Sequence, residues 1–348
     1  MNKSKKTGVI VALILVVIII IAAALILPSI YKKFIKANTN VNSKTYLYIP
    51  SNASYQQVLD SIKKNSLLVN EESFLSLAKD RGLSEKFKPG KYPFVKDMNN
   101  RQILNMLIAG NQEPVSVSFR NIRLKENFAA TVAKKLECDS LSIIKLLDST
   151  AYVSQFGFTT NNVYTMFIPN SYEMYWNTSA TDFFERMNKE YKKFWTSERL
   201  AKAKILNLTA QEVTVLASIV DSEALVNKEM PTIAGLYLNR LKRGIKLEAD
   251  PTVIFANNDF SIRRVLNKHL RKESPYNTYI NTGLPPGPIM MPSIAAIDAV
   301  LNHESHNFIY MCAKEDFSGY HNFADNLKEH QANADKFQQA LNKRNIKK

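Results

Sequence analysis

Hydrophobic positions along this chain form one unbroken run, several short alternating stretches and a series of helical repeats. The run comes first. Val9 to Leu27 is nineteen consecutive apolar residues, about 28 Å long as a helix against a bilayer core of roughly 30 Å. It is longer than the apolar part of a signal peptide, and Leu25-Ile26-Leu27-Pro28 offers no small-x-small cleavage site. A retained single-pass anchor is therefore predicted. Lys3, Lys5 and Lys6 before it are balanced by Lys32, Lys33 and Lys36 after it, so the positive-inside rule does not orient it.

Residues 37–44 are polar and read as a linker. Tyr46–Pro50 is strand-like, Ser54 can cap a helix through Ile62, and a second helix is expected over Glu72–Asp80. Lys88–Phe94 is a turn entering an extended piece. Asn100–Ala109 carries Ile103, Leu104 and Leu107 at helical spacing with Gly110 as a stop, and Val115–Phe119 alternates like a strand. Residues 124–206 read as mostly helical, with Asp182–Trp195 amphipathic and basic on one face. Further on, Pro231 opens a helix that Gly244 closes, and Asp250 is placed as N-cap with Pro251 at N1. Gly-Leu-Pro-Pro-Gly-Pro-Ile, 283–289, can be neither helix nor central strand. As a rigid loop it would leave backbone groups free to face a ligand. Ser293 starts a helix through Leu301, Asn307–Ala313 and Tyr320–Phe323 suggest a hairpin, and a final helix runs from Asp325. The fold class is α+β: a single N-terminal transmembrane helix, a small α/β subdomain and a larger mixed α+β domain. The boundaries are 1–36 for tail and anchor, 37–44 for the linker, 45–118 and 119–348.

One helix breaks its own pattern. Thr209 and Glu212 form a capping box at its start, and the repeat continues to Ala224. Val213, Leu216, Ala217, Val220 and Ala224 share an inward face, whereas Thr214, Ser218 and Asp221 should see water. Glu223 projects within the apolar stripe, one turn beyond Ile219. A carboxyl group placed there is either paired in a structural role or held protonated by desolvation, the state a general acid needs.

Charge and composition narrow the partners. The net charge is +15, but six of those charges flank the apolar run and the remaining +9 is dispersed. No compact basic stripe with interleaved aromatics stands out, which argues against nucleic acid. A mildly basic surface suits an anionic polymer or membrane surface, and equally a plain solvated exterior. Two cysteines, Cys138 and Cys312, form neither a metal motif nor a dense disulfide framework, and five histidines lack zinc spacing. Neither metal nor cofactor is expected.

Several words along the chain occur together in one known family. Leu216–Ala224 (LASIVDSEA) resembles the active-site segment of the MltG (YceG-like) family of membrane-anchored endolytic murein transglycosylases. Phe167, Pro169 and Tyr172 match a second family signature, from which Asn170 and Ser171 depart. Tyr237–Leu241, Leu247–Val253 (with Ala249 in place of a hydroxyl residue), Ser274–Tyr279, Gly283–Ile289, His321 and His330 follow in family order. The resemblance implies Glu223 as the catalytic residue. Asp221 stands where the family usually has Glu or Gln. It brings in Asn239, Arg240, Asp250, Tyr276, Asn277, Thr278 and His321 as candidate substrate contacts. Asn277 and its neighbours offer hydrogen-bonding groups that a polysaccharide needs. It also implies that 45–118 is LysM-like and touches glycan, and that 119–348 is a YceG-like catalytic domain. Tyr92 and Phe94 could stack on sugar or belong to the core, and the same choice is open for Tyr172, Tyr175 and Trp176. Peptidoglycan glycan strands become the expected partner, and penicillin-binding proteins and other wall-synthesis proteins are admitted beside them. The location implied is the cell inner (plasma) membrane, with the N-terminus cytoplasmic and the catalytic domain extracytoplasmic.

Hydrolytic glycosidases use two carboxylates flanking the bond. Only one is well marked here, which agrees with a lytic transglycosylase. That enzyme would cut the MurNAc–GlcNAc bond inside nascent strands, leave 1,6-anhydroMurNAc ends and terminate strand elongation. A hydrolytic muramidase and a non-catalytic glycan-binding scaffold are the alternatives.

Overall fold

The structure, a computed structural model, describes residues 3–344. Residues 1–2 and 345–348, the outer ends of the expected anchor and catalytic segments, lie outside the described residues. So do the side chains of Lys3, Lys5 and Lys6. The fold is α+β, and the chain divides into two compact units, Met1–Ser116 with Glu173–Thr178, and Val117–Tyr172 with Ser179–Lys348.

In the first unit, α1 (Lys3–Phe34) continues through Pro28 past the end of the apolar run. Its stretch Gly8–Phe34 is long and apolar enough to cross a membrane, with its side chains exposed. A proline in such a helix removes one backbone bond, a loss tolerated in spanning helices. Beyond it come β1 (Thr45–Ile49), α2 (Tyr55–Lys64), α3 (Glu71–Arg81), the single turn α4 (Leu83–Lys86), β2 (Gly90–Phe94) and α5 (Asn100–Ala109). Capping boxes at Ser54/Gln57 and Asn99/Gln102 start α2 and α5, and Gly110 ends α5 in the left-handed conformation. β1 and β2 pair antiparallel with Leu47 opposite Tyr92. Tyr92 and Phe94 are fully buried with Leu47, Ile49, Phe74 and Leu104, so they are core. The first residues of the expected linker make specific contacts with this unit. Ala37 bridges Asn99 and Thr39 bridges Leu68. Buried Asn38 donates to Asn100 Oδ1 at 2.6 Å and accepts from the Asn70 amide at 2.7 Å. These residues are bonded into the unit because short polar side chains can satisfy its loose backbone groups.

Strands β3 (Val115–Phe119) and β4 (Asn170–Met174) pair as a second two-stranded sheet. The second unit continues with α6 (Lys125–Ala133), α7 (Ser140–Asp148), α8 (Thr150–Val153), α9 (Ala180–Phe194), α10 (Ser197–Ile205) and α11 (Ala210–Glu223). Phe119, Phe128, Phe167, Tyr172, Phe183 and Phe184 stack edge and face into one aromatic core. Tyr172 is therefore core, while Tyr175 is exposed.

The remaining elements are α12 (Met230–Lys242), α13 (Asp250–Asn257), the single turn α14 (Asn267–Leu270), α15 (Ile294–Leu301), the hairpin β5 (Tyr310–Ala313) and β6 (His321–Ala324), and α16 (Leu327–Lys343). α11 is the hub, packed by α12, α13 and α15. Gly235 lets the chain before β5 lie against α12, since a Cβ there would stand 2.4 Å from the Glu304 carbonyl oxygen.

The polar face predicted for α11 is mostly covered, and only Asp221 at its far end is half-exposed. Thr214 and Ser218 are buried. Their hydroxyls bond back to the helix, to the Ala210 carbonyl at 2.9 Å and the Val215 carbonyl at 2.7 Å. Ser218 also accepts from the Ile289 amide at 3.1 Å. Asp221 accepts from the Ser293 amide at 2.8 Å and the Ser293 hydroxyl at 3.0 Å, fastening the start of α15. A helix buried all round through its middle, from Val213 to Val220, shows no usable amphipathic phase there.

Candidate active site

Glu223 is the last residue of α11, and its neighbours come from five later segments, three of which supply most of the lining while Tyr279 and His330 of α16 complete it. Together they line a cleft of about 370 Å³. α12 supplies Tyr237 and Arg240, the segment entering α13 supplies Glu248 and Asp250, and the β5–β6 hairpin supplies Tyr310, Cys312 and His321. The Tyr237 hydroxyl donates to Glu223 Oε1 at 3.1 Å. Burial drives the Glu223 carboxyl from an ordinary value up to about 7; the Tyr237 hydrogen bond opposes the shift and the nearby Asp250 charge adds to it. Such a group is protonated often enough to give a proton at neutral pH and ionised often enough to take one. Tyr237 itself is buried and held well above the usual phenol range by burial and by the adjacent carboxyl, so it stays a donor.

Asp250 is a further carboxylate in the cleft, beside the Arg240-paired Glu248. It was expected to cap α13, but Ala249 is the cap residue and makes no side-chain cap bond. Asp250 instead accepts the Tyr279 hydroxyl at 2.7 Å. Thr278 covers the missing hydroxyl of position 249, with its Oγ1 accepting the Ala249 amide at 3.1 Å and lying 2.8 Å from Thr252 Oγ1.

Of the residues singled out by sequence, the cleft brings together Glu223, Arg240, Asp250, His321 and His330. Arg240 neither steers Glu223 nor is solvated. It is buried, donates to the carbonyls of Lys246 and Ile309 at 2.7 Å each, and pairs with Glu248. Asn239 ties α12 to the chain before β5 by donating to the His306 carbonyl at 2.7 Å and the Phe308 carbonyl at 3.0 Å. Tyr276 packs on Phe255 at 4.7 Å. Asn277 is wholly buried; it donates to the carbonyls of Leu270 (2.9 Å) and Lys272 (2.8 Å) and accepts the Tyr279 amide at 3.0 Å. The expectation that Asn277 and Thr278 present free polar groups to a ligand is not met, because both are used inside the fold. The loop 283–289 also lies elsewhere, with Leu284, Pro285 and Pro286 beside Thr209 and Glu212 at the other end of α11.

Sequence reasoning missed Tyr237 and Tyr279. Both stood in the quoted words, and Tyr237 lies three residues before Arg240, hence on the same side of α12. Cys138 and Cys312 are free, and burial raises both thiols. Among the described residues no cluster of His, Cys, Asp and Glu could hold a metal ion.

The family model of the YceG-like family matches residues 47–336. The chain belongs to the YceG-like family. A relative named endolytic murein transglycosylase from Bacillus subtilis is 28% identical over 329 residues, covering 90% of this chain and 88% of that protein. A protein of the same name from Streptococcus pneumoniae is 25% identical over 327 residues, 84% of this chain and 59% of the longer relative. The crystal structure of a YceG-like protein from Listeria monocytogenes superposes with a TM-score of 0.54 at 23% identity, over 84% of this chain and 99% of that one. That likeness shows the fold of this YceG-like chain. The Glu223 segment, the cleft and the β5–β6 hairpin all fall inside the matched family range.

Proposed function

We propose that this YceG-like protein is a membrane-anchored lytic transglycosylase of peptidoglycan, cutting glycan strands internally at the MurNAc–GlcNAc bond. One observation carries the reading: a carboxyl group held near pKa 7 in an open cleft, with one oxygen engaged by Tyr237 and the other left for substrate. The names of the Bacillus and Streptococcus relatives support the substrate class.

The protein's part in the reaction follows from proton positions. Tyr237 donates to Oε1, so the acidic proton of Glu223 sits on Oε2. Glu223 gives that proton to the glycosidic oxygen as its bond to muramoyl C1 breaks. Positive charge builds on C1 and the ring oxygen, and the Glu223 and Asp250 carboxylates stabilise it electrostatically. The muramoyl C6 hydroxyl attacks C1, its proton passes to Glu223, and the acid is restored. No water is consumed, and the new end is a 1,6-anhydro sugar. In the cell such cuts would end strand elongation.

A second reading draws on Asp250. Glu248 in the same cleft is paired with Arg240, whereas an acid with a second carboxylate near it is also the arrangement of a hydrolytic muramidase. Mass spectrometry of purified strands digested by the full-length protein separates the readings. Anhydro ends, one water lighter, are expected. Reducing ends would favour hydrolysis, and binding without any cutting would favour a scaffold.

The anchor reading places the short N-terminus in the cytoplasm and everything after α1 outside. Protease added to spheroplasts should then degrade the bulk of the chain, and protection of residues 37–348 would contradict it. On the same reading residues 45–118 serve as a LysM-like glycan contact, residues 119–348 as the catalytic domain, and penicillin-binding proteins as neighbours.

A further inference from the structure

The mechanism above makes no use of a buried carboxylate that faces the cleft only through a histidine. Glu229 closes the turn Asn227–Glu229 ahead of α12, with its side chain 5% exposed. Burying a carboxylate is costly unless its oxygens are well bonded. Both oxygens of Glu229 are turned to His321, the first residue of β6. Oε1 accepts the His321 backbone amide at 2.8 Å, and Oε2 lies 2.8 Å from His321 Nδ1. An ionised carboxylate can only accept, so Nδ1 carries the ring proton. In the neutral imidazole that leaves Nε2 as a bare acceptor. His321 lines the cleft with Glu223 and retains 14% side-chain exposure. Its strand partner Ala313 lines the same cleft, so the hairpin register as well as the carboxylate fixes the ring.

We infer that Glu229 is a positioning residue that locks His321 in the Nδ1–H tautomer, and that Nε2 accepts a hydrogen bond from a hydroxyl or acetamido N–H of the bound amino sugar. The second half rests on the glycan reading of the cleft, while the first half stands without it. In that tautomer Nε2 offers the cleft an acceptor, which selects a donor on the substrate without adding another carboxylate to a cleft already lined by Glu223, Glu248 and Asp250. Holding a ring nitrogen's tautomer through a partner carboxylate is a common way to present the other nitrogen in a defined state.

The test uses the full-length protein in detergent with isotope-labelled histidine, where long-range proton–nitrogen spectra read each ring's tautomer and a His321→Asn spectrum assigns the signal. His321 is expected to show a protonated Nδ1 and a bare Nε2. In a Glu223→Gln background, where strands bind uncut, purified glycan strands should shift the Nε2 signal. Glu229→Gln should let the amide donate to Nδ1, move the ring proton to Nε2 and remove the acceptor. KM on glycan strands should then rise about two- to twelve-fold, the worth of one hydrogen bond, with a smaller change in kcat. A wild-type ring protonated at Nε2, alone or on both nitrogens, would overturn the tautomer assignment. An Nε2 signal unmoved by strands that the wild type does cut, or an unchanged KM in a Glu229→Gln protein whose ring has flipped, would overturn the contact. Strands that the wild type neither binds nor cuts would overturn the glycan reading and the contact with it, while the tautomer spectrum would still decide the role of Glu229.

Discussion

The end of α11 and the segment 274–279 both withdraw polar side chains from water, in part or wholly, and their hydrogen bonds set them apart. Asn277 is completely buried and satisfied, holding the carbonyls of Leu270 and Lys272 and the amide of Tyr279. Glu223 has one bond, from Tyr237, and an oxygen that opens on a cleft. A wholly satisfied polar group stabilises one backbone arrangement, whereas one with unused capacity in a desolvated place is available for chemistry. Motif rarity does not distinguish the two. The words 274–279 and 283–289 are the most distinctive in the chain, yet the first builds the frame that carries Thr278 to Ala249 and Tyr279 to Asp250, and the second packs beside the start of α11.

Three substitutions press on that contrast. The largest effect is expected at Glu223. Glu223→Gln keeps the size of the side chain but cannot protonate a leaving oxygen, so cutting of glycan strands should fall by at least about 10²–10⁴-fold. Stability should not suffer. The folded-state value of about 7 lies above the ordinary 4.5, so the folded protein binds more protons between those pH values. The stabilisation associated with this group is therefore complete below about pH 4.5 and is lost as pH rises through about 7. Denaturation of Glu223→Gln followed across that range should lack this slope.

Asn277→Ala is next, and its effect should fall on the fold. Two carbonyls lose their donor, and thermal or chemical unfolding should show a loss of about 2–4 kcal/mol. Protein that remains folded should cut strands with a nearly normal KM. A stable variant with a raised KM would instead return Asn277 to the substrate side of the comparison.

Asp221→Asn should be the mildest. Asp221 sits two residues from Glu223 but fastens the Ser293 end of α15. An amide keeps one acceptor, so the cost should be about 0.5–2 kcal/mol, as for other capping contacts, with activity near wild type. If Asp221→Asn stopped cutting while Glu223→Gln did not, the catalytic role would belong to the other carboxylate.

Much of the architecture was legible because its signals are local. The cap at Ser54, the box Thr209/Glu212, the stop at Gly110 and the hairpin near 310–324 each depend on residues a few positions apart. The misplaced residues depend on partners far along the chain. Ser218 and Asp221 are covered by a segment about seventy residues downstream. Asp250 falls one residue inside α13, with Ala249 as the cap, and its carboxylate is engaged by a tyrosine arriving from position 279. Glu223 could be found from sequence because its misfit is written within one helix. The pocket that gives the misfit its meaning, made by Tyr237, Asp250 and His321, exists only after α12, α13 and the β5–β6 hairpin have packed.

The central claim is that one desolvated carboxyl group does the acid work, and the pH dependence of kcat/KM on purified strands tests it most directly. The protonated form starts the reaction, so kcat/KM should fall as pH rises through about 7. Tyr237→Phe removes the hydrogen bond that favours the anion, so the same limb should move to higher pH. A descending limb near the ordinary carboxyl value of 4.5, or one that stays in place in Tyr237→Phe, would contradict the assignment of Glu223 as the acid.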